Sequence, residues 1–186
     1  MKLPQIKTVR LTKSYIAPSF NTSREAVYPL LVLSAYLGEG ETSKLYKKLV
    51  LEEKNALGVS VAYDFASRSY GGFSISAMPK EDVDAKAFET ALDKAVKEAL
   101  AEISVEEIEK TKGKMLVGQV YLRDNPNDAA YIAGSMAAVG MSVEDIENHA
   151  DNIRKVSAAD VRKAAKNLFG RAINVTGVIK PEKEER

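Results

Sequence analysis

Cysteine is missing from the chain altogether, which removes disulfides, thiolate zinc sites and cysteine nucleophiles at once and leaves the redox compartment open. Histidine is nearly missing too. His149 stands alone, so no H-x-x-E-H zinc helix can be assembled from this polypeptide. No apolar run approaches the roughly 20 residues that cross a bilayer. The opening MKLPQIKTVR carries charge with no apolar stretch behind it, unlike a signal peptide. A surplus of one charge is lacking as well: Lys plus Arg number 27 against 26 Asp plus Glu, and no segment concentrates the basic residues. The counterion-releasing track of a nucleic-acid binder is therefore absent.

What is present suits one domain, since 186 residues bury roughly 70% of the surface an unfolded chain exposes. Val9, Leu11 and Tyr15 alternate with Thr12 and Ser14 as a first strand ending at Pro18. Thr22-Ser-Arg-Glu25 spells a capping box and predicts a helix to about Leu37, and Thr42 or Ser43 caps a short helix to about Glu53. Leu57, Val59, Val61, Tyr63 and Phe65 then alternate with small or polar residues, the best strand signal in the chain. A turn near Gly71-Gly72 returns it through Phe73, Ile75 and Ala77 to Pro79 as an antiparallel partner.

The second half reads as helical. Phe88, Leu92, Val96, Ala99 and Ile103 form one stripe of a helix from about Asp84 to Glu102. Ser104-Val-Glu-Glu107 opens a helix to about Leu122, Asn125-Pro126-Asn127-Asp128 opens one ending at Gly140, and Ser142-Val-Glu-Asp145 and Ser157-Ala-Ala-Asp160 open two more. Ile173 to Ile179 is a closing strand, and residues 182–186 read as a charged, disordered tail beyond a single domain of residues 1–181. The order predicts an α+β domain, a mostly antiparallel sheet with helices packed on one side.

Chemistry-bearing patterns are sparse. Glu144, Asp145, Glu147 and Asp151 surround His149, but acids near a helix start complement its dipole without a metal, so a solvated face is expected. There is no G-x-S-x-G elbow, and a Ser-Lys site at Ser43-Lys44 is opposed because helix neighbours in sequence point apart. Gly38-Glu39-Gly40-Glu41 before a helix invites a phosphate, yet its glutamates repel anions and the lysine spacing of a Walker loop is unmet. A helix C-cap glycine and a tight turn explain it more simply. Lys110, Lys112 and Lys114, and Arg162, Lys163 and Lys166, read as solvated helix faces.

The ordered set of signals resembles the non-catalytic C-terminal domain of the pitrilysin and insulinase-like zinc peptidases, a group that includes mitochondrial processing peptidase and the respiratory core proteins. Tyr15-Ile-Ala-Pro-Ser19 is similar to that family's first strand. LSAYLGEGETSKLYKKLV, Leu33 to Val50, resembles its "iLggG.tSRLy..Lv" signature with Lys44 in the usual arginine place. Ser104 to Lys110, Val156 to Val161 and the ending Val175 to Pro181 resemble its later motifs. The resemblance implies a chain with no catalytic residue, metal ligand or cofactor of its own, whose zinc lies in an N-terminal half outside this sequence. It implies as partners that zinc-bearing half, a second homologous subunit and a peptide substrate, with no nucleic acid and no membrane span. The parent is then a zinc metallopeptidase of the periplasm or cytoplasm, or alternatively a structural module resembling respiratory core proteins. Some family members hold substrate with an R-x-x-x-x-x-x-Y pair. The matching positions here are Glu52 and Val59, where the first has the wrong charge and the second has no donor.

Overall fold

Side chains alternate across a strand, so an antiparallel sheet with apolar residues on one phase only must cover that phase and leave the other bare. A computed structural model describes the backbone of residues 2–3, 8–123, 126–171 and 173–181, and the side chains of 8–117, 130–171 and 173–181. Its strands are β1 (Lys2–Leu3), β2 (Arg10–Ala17), β3 (Ala56–Asp64), β4 (Gly71–Pro79) and β5 (Asn174–Pro181). They are arranged β1-β5-β2-β4-β3, antiparallel throughout except for the short β1–β5 pair. The helices are α1 (Arg24–Gly38), α2 (Lys44–Tyr46), α3 (Ala85–Ala101), α4 (Val105–Arg123), α5 (Pro126–Ala138), α6 (Val143–Glu147), α7 (His149–Lys155) and α8 (Ala158–Phe169). Helix α2 runs on into a π-helical stretch over Lys47–Glu52. This is the α+β architecture expected from the sequence.

One core joins the two layers. Leu11 and Tyr15 of β2 and Phe73, Ile75 and Ala77 of β4 lie buried against Leu30, Leu33 and Leu37 of α1, with Phe88, Leu92 and Val96 of α3 and Val161 and Leu168 of α8. The expected stripe on α3 is buried along its length. A smaller cluster, Phe20, Val27 and Met141, ties the start of α6 to α1 and the end of β3. On the opposite face, register aligns Gly177, Thr12, Ser76 and Ser60 in one row and Val175, Ser14, Ser74 and Ala62 in the next. None of these residues belongs to a buried cluster among the described residues.

Several local expectations are corrected. Leu57 does not lead the inward phase of β3: a bulge lets Ala56 pair with Pro79 and Gly58 with Met78, so Ala56 is buried and Leu57 is half exposed. The capping box at Thr22 does not form. Ser23 is the N-cap and makes no side-chain cap bond, while Thr22 Oγ1 accepts the Ser19 amide at 2.7 Å and so locks the entry turn. Ser43 likewise spends its hydroxyl on the Gly40 carbonyl. By contrast Ser142 and Ser157 form complete capping boxes with Asp145 and Asp160, and Ser104 Oγ accepts the Glu107 amide. The segment opened by Ser142 breaks at Asn148 into α6 and α7. The N-cap expected at Asn125 and the tail 182–186 lie outside the described residues.

Two lysines leave the surface. Lys13 points into the helix side of the sheet and pairs with Asp93 and, at 3.7 Å, Glu89 of α3. Lys112, expected on a solvated face, is buried. Its ammonium donates to the carbonyls of Arg154 and Val156, closing the end of α7.

These local geometries set expected stabilities. Ser157→Ala should cost about 1 kcal/mol, whereas Ser23→Ala, at a cap that accepts no hydrogen bond, should cost a few tenths; equal losses in urea melts would contradict the assignment. Gly38→Ala would press its Cβ against the Val61 side chain and within 2.5 Å of the Val61 amide nitrogen. About 1–3 kcal/mol of destabilisation is expected from that overpacking, read as a lowered urea midpoint.

Candidate functional site

The corner between α1 and β3 is built from its glycines outward. Gly38 ends α1 inside the helix, without a side chain, because the helix passes directly over Val61 of β3. Gly40 makes the turn, with φ of 71°, and its carbonyl accepts the Ser43 amide. Gly38 is thus needed for close packing and Gly40 for the left-handed turn, which refines the C-cap reading. Lysines do gather round this loop, since Lys44, Lys47, Lys110 and Lys114 line a small depression with Thr42 and Ser43. Lys44, however, is committed to Glu102 at 3.0 Å and Glu107 at 3.7 Å, and Lys114 donates to Thr42. Two of the four lysines are thus already engaged, and Glu39 and Glu107 line the same depression, which disfavours a phosphate.

Beyond it the chain enters the π-helical stretch, a rare element that often marks functional sites. Lys48 holds this stretch to α3 through Glu98 at 3.1 Å, a bond that raises the lysine pKa and lowers that of Glu98. Glu52 closes the stretch, exposed, in a depression of about 120 Å³ that Lys44, Lys47 and Lys48 share with Glu98 and Glu102. Val59 lies elsewhere. It pairs with Ala77 and lines a groove of about 330 Å³ with Arg10, Tyr46, Gly58, Ser60, Ser76 and Met78. The two positions singled out by resemblance therefore line different depressions. Sequence reasoning missed Arg10 and Tyr46, which lie 49 and 13 positions before Val59 and line one groove with it only because β4 pairs with both β2 and β3 and α2 packs against β3. The groove so gains a guanidinium and a phenol hydroxyl.

His149 is not the solvated residue expected. Its ring lies 5.4 Å from Tyr28 and 6.0 Å from Phe65, and its Nδ1 is enclosed with no hydrogen-bond partner. Burial lowers its pKa, because the imidazolium would lose its hydration there. Two of the neighbouring acids are engaged elsewhere: Asp145 in its cap and with Arg24 at 3.3 Å, and Asp151 with Arg154. Among the described residues no three His, Asp or Glu side chains converge as a metal site.

Fold and site together define a helix-backed half-domain with a bare sheet face and, among the described residues, no cluster of metal-ligating side chains. A family model described as the peptidase M16 inactive domain matches residues 1–115, and the chain belongs to that family. Among solved structures it is similar to a protease from Helicobacter pylori, with 18% identity and a TM-score of 0.86 over 97% of this chain. It spans 43% of that relative's length. The inactive peptidase domain of a zinc-protease candidate from Bordetella parapertussis matches with 19% identity and a TM-score of 0.80, over 100% of this chain and 97% of the other. A chain of Complex III from Candida albicans matches at 12% identity and a TM-score of 0.77, over 97% of this chain and 44% of that one. No curated protein sequence matches. No helix among the described residues is long and apolar enough to cross a membrane.

The buried imidazole gives a pH dependence of known sign. The folded pKa of His149 lies below the usual value of about 6.5. The stability carried by neutral His149 is therefore complete above about pH 6.5 and is lost as pH falls through the folded pKa. Urea midpoints should decline over that range in the wild type and decline less in His149→Phe, and the single histidine's proton resonance should titrate below 6.5.

Proposed function

We propose that this domain is the non-catalytic C-terminal half of a zinc metalloendopeptidase, forming part of the wall of an enclosed peptide-cleaving chamber. The zinc site would belong to an N-terminal half outside this chain. The observation that carries the reading is the bare sheet face. Glycine and alanine are depleted in strands, yet Gly58, Gly72, Gly177 and Ala62 occupy it together with Ser14, Ser60, Ser74 and Ser76. Such a floor, four strands wide with mostly small side chains along its middle rows, lets another domain approach the backbone closely. Family membership and the 43% span of the Helicobacter pylori protease support a missing half of similar size.

In this reading the groove at Val59 opens towards the substrate. Arg10 and Tyr46 are its polar donors, able to hold the carbonyl or carboxylate oxygens of an extended peptide that Glu52 and Val59 themselves cannot hold. A second reading, a structural module of an assembly without peptidase activity, is favoured by the likeness to the Complex III chain. An H-x-x-E-H motif encoded upstream or in a neighbouring gene separates the two.

Metal analysis and peptidase assays test the proposal directly. The chain alone should hold well under one zinc and cleave nothing, while the parent assembly should hold zinc and cleave peptides. One zinc per chain on the isolated domain would sink it. In the parent, Arg10→Ala should raise KM roughly tenfold with kcat little changed, about 1.4 kcal/mol of binding.

A further inference from the structure

Four large apolar side chains gather at one end of the sheet while staying open to solvent: Ile16 at 62%, Tyr70 at 61%, Ile173 at 68% and Val175 at 71%. Register makes them neighbours. Tyr15 pairs with Asn174, so Ile16, the next residue on β2, lies beside Ile173, which immediately precedes β5. Ser14 pairs with Val175, which places Val175 diagonal to Ile16 on the same outward phase. Across β4, Ile16 faces Gly72, so nothing shields that flank, and Tyr70 immediately precedes β4. Isolated exposed apolar residues are ordinary, but a contiguous group on adjacent strands marks an interaction site.

Behind the group is a cavity of about 260 Å³ between α1 and α8, with Pro18, Ala26, Leu30 and Leu168 in its walls. Asn167 and Arg171 stand at its rim. Arg171 is the only charged residue that lines it, no carboxylate does, and Arg171 has no ion pair among the described residues. The site therefore combines an apolar hole with one uncompensated cation. It lies at the far end of the strands from the Val59 groove. Six residues separate Arg10 from Ile16 on β2, about 20 Å.

We propose that this patch and cavity form the anchor point for the polypeptide that completes the parent assembly. The anchoring segment would place one large apolar side chain in the cavity and a carboxylate beside Arg171. The inference rests on the reading that this domain is one half of a larger assembly, and it deepens that reading by naming where the other half binds and with what chemistry. A second copy of this chain is a poorer occupant, because a two-fold contact through the same patch brings Arg171 against its own counterpart with no acid between them. The patch is also continuous with the bare sheet face, so one partner can cover both.

Hydroxyl-radical footprinting of Tyr70, in the 186-residue chain alone and in the parent assembly, tests the proposal. Tyr70 should react freely in the isolated chain and at least tenfold more slowly in the assembly. Arg171→Glu and Ile16→Ser, both at exposed positions, should each restore its reactivity and weaken association of the halves tenfold or more. Arg171→Lys should retain most of both. Equal reactivity of Tyr70 in the chain and in an assembly shown intact by mass would overturn the anchor while leaving the half-domain reading in place. Sedimentation showing that the isolated chain dimerises with Tyr70 protected would overturn the choice of occupant. Absence of any larger assembly would remove the reading and the anchor together, and mass measurement of the native complex detects that outcome separately.

Discussion

Helix α1 lies so close to the sheet that a single methyl group at Gly38 would collide with Val61. That close approach organises the domain. It fixes how far Leu30, Leu33 and Leu37 reach into the core, and the same helix meets α4, α7 and α8 on its other sides. It also decides where the chain goes next. With α1 pinned over β3, the link to β3 must turn sharply at Gly40, run through α2 and return along the sheet edge, which it does by widening into a π-helical stretch. The same geometry carries Tyr46 to the side of Val59 and leaves Glu52 over α3.

The sheet is covered on one side only, as antiparallel sheets can be. Burying Phe73, Ile75 and Leu11 under the helices uses much of the apolar surface of the central strands, and the middle rows of the outward phase are left mostly with serine, threonine, glycine and alanine. A face of long polar side chains would have suited water and the strand conformation better. Small residues make sense where another backbone must come near. The apolar group at Ile16, Tyr70, Ile173 and Val175 fits the same logic at the end of that face.

Charge was used internally in ways the composition hides. A near-neutral chain with many ion pairs suggests a uniformly solvated surface, but Lys13 and Lys112 are buried structural parts. Lys13 links the sheet to α3 through Asp93 and Glu89, and burial, helped by these carboxylates, pushes the Tyr15 hydroxyl pKa up to about 12. Lys112 substitutes for a cap at the end of α7. Neither contact is periodic along the sequence, so neither could be anticipated from helical pattern.

The sequence by itself determined the element order apart from β1, the π-helical stretch and the break between α6 and α7, together with the inward phases of β2 and β4, the buried stripe of α3 and the caps at Ser104, Ser142 and Ser157. Each of these follows from residues within a turn or two of one another, where spacing alone dictates geometry. It also determined that this chain lacks the residues for thiolate or two-histidine chemistry. Only the tertiary structure decided the bulge at Leu57, the unused cap at Ser23, the burial of His149 and the meeting of Arg10 and Tyr46 with Val59. Those depend on which distant segments pack together, on a hydroxyl finding a better partner than its own helix, and on a strand edge being reached from both sides. Such choices are made by contacts far apart in the chain, and no local pattern encodes them.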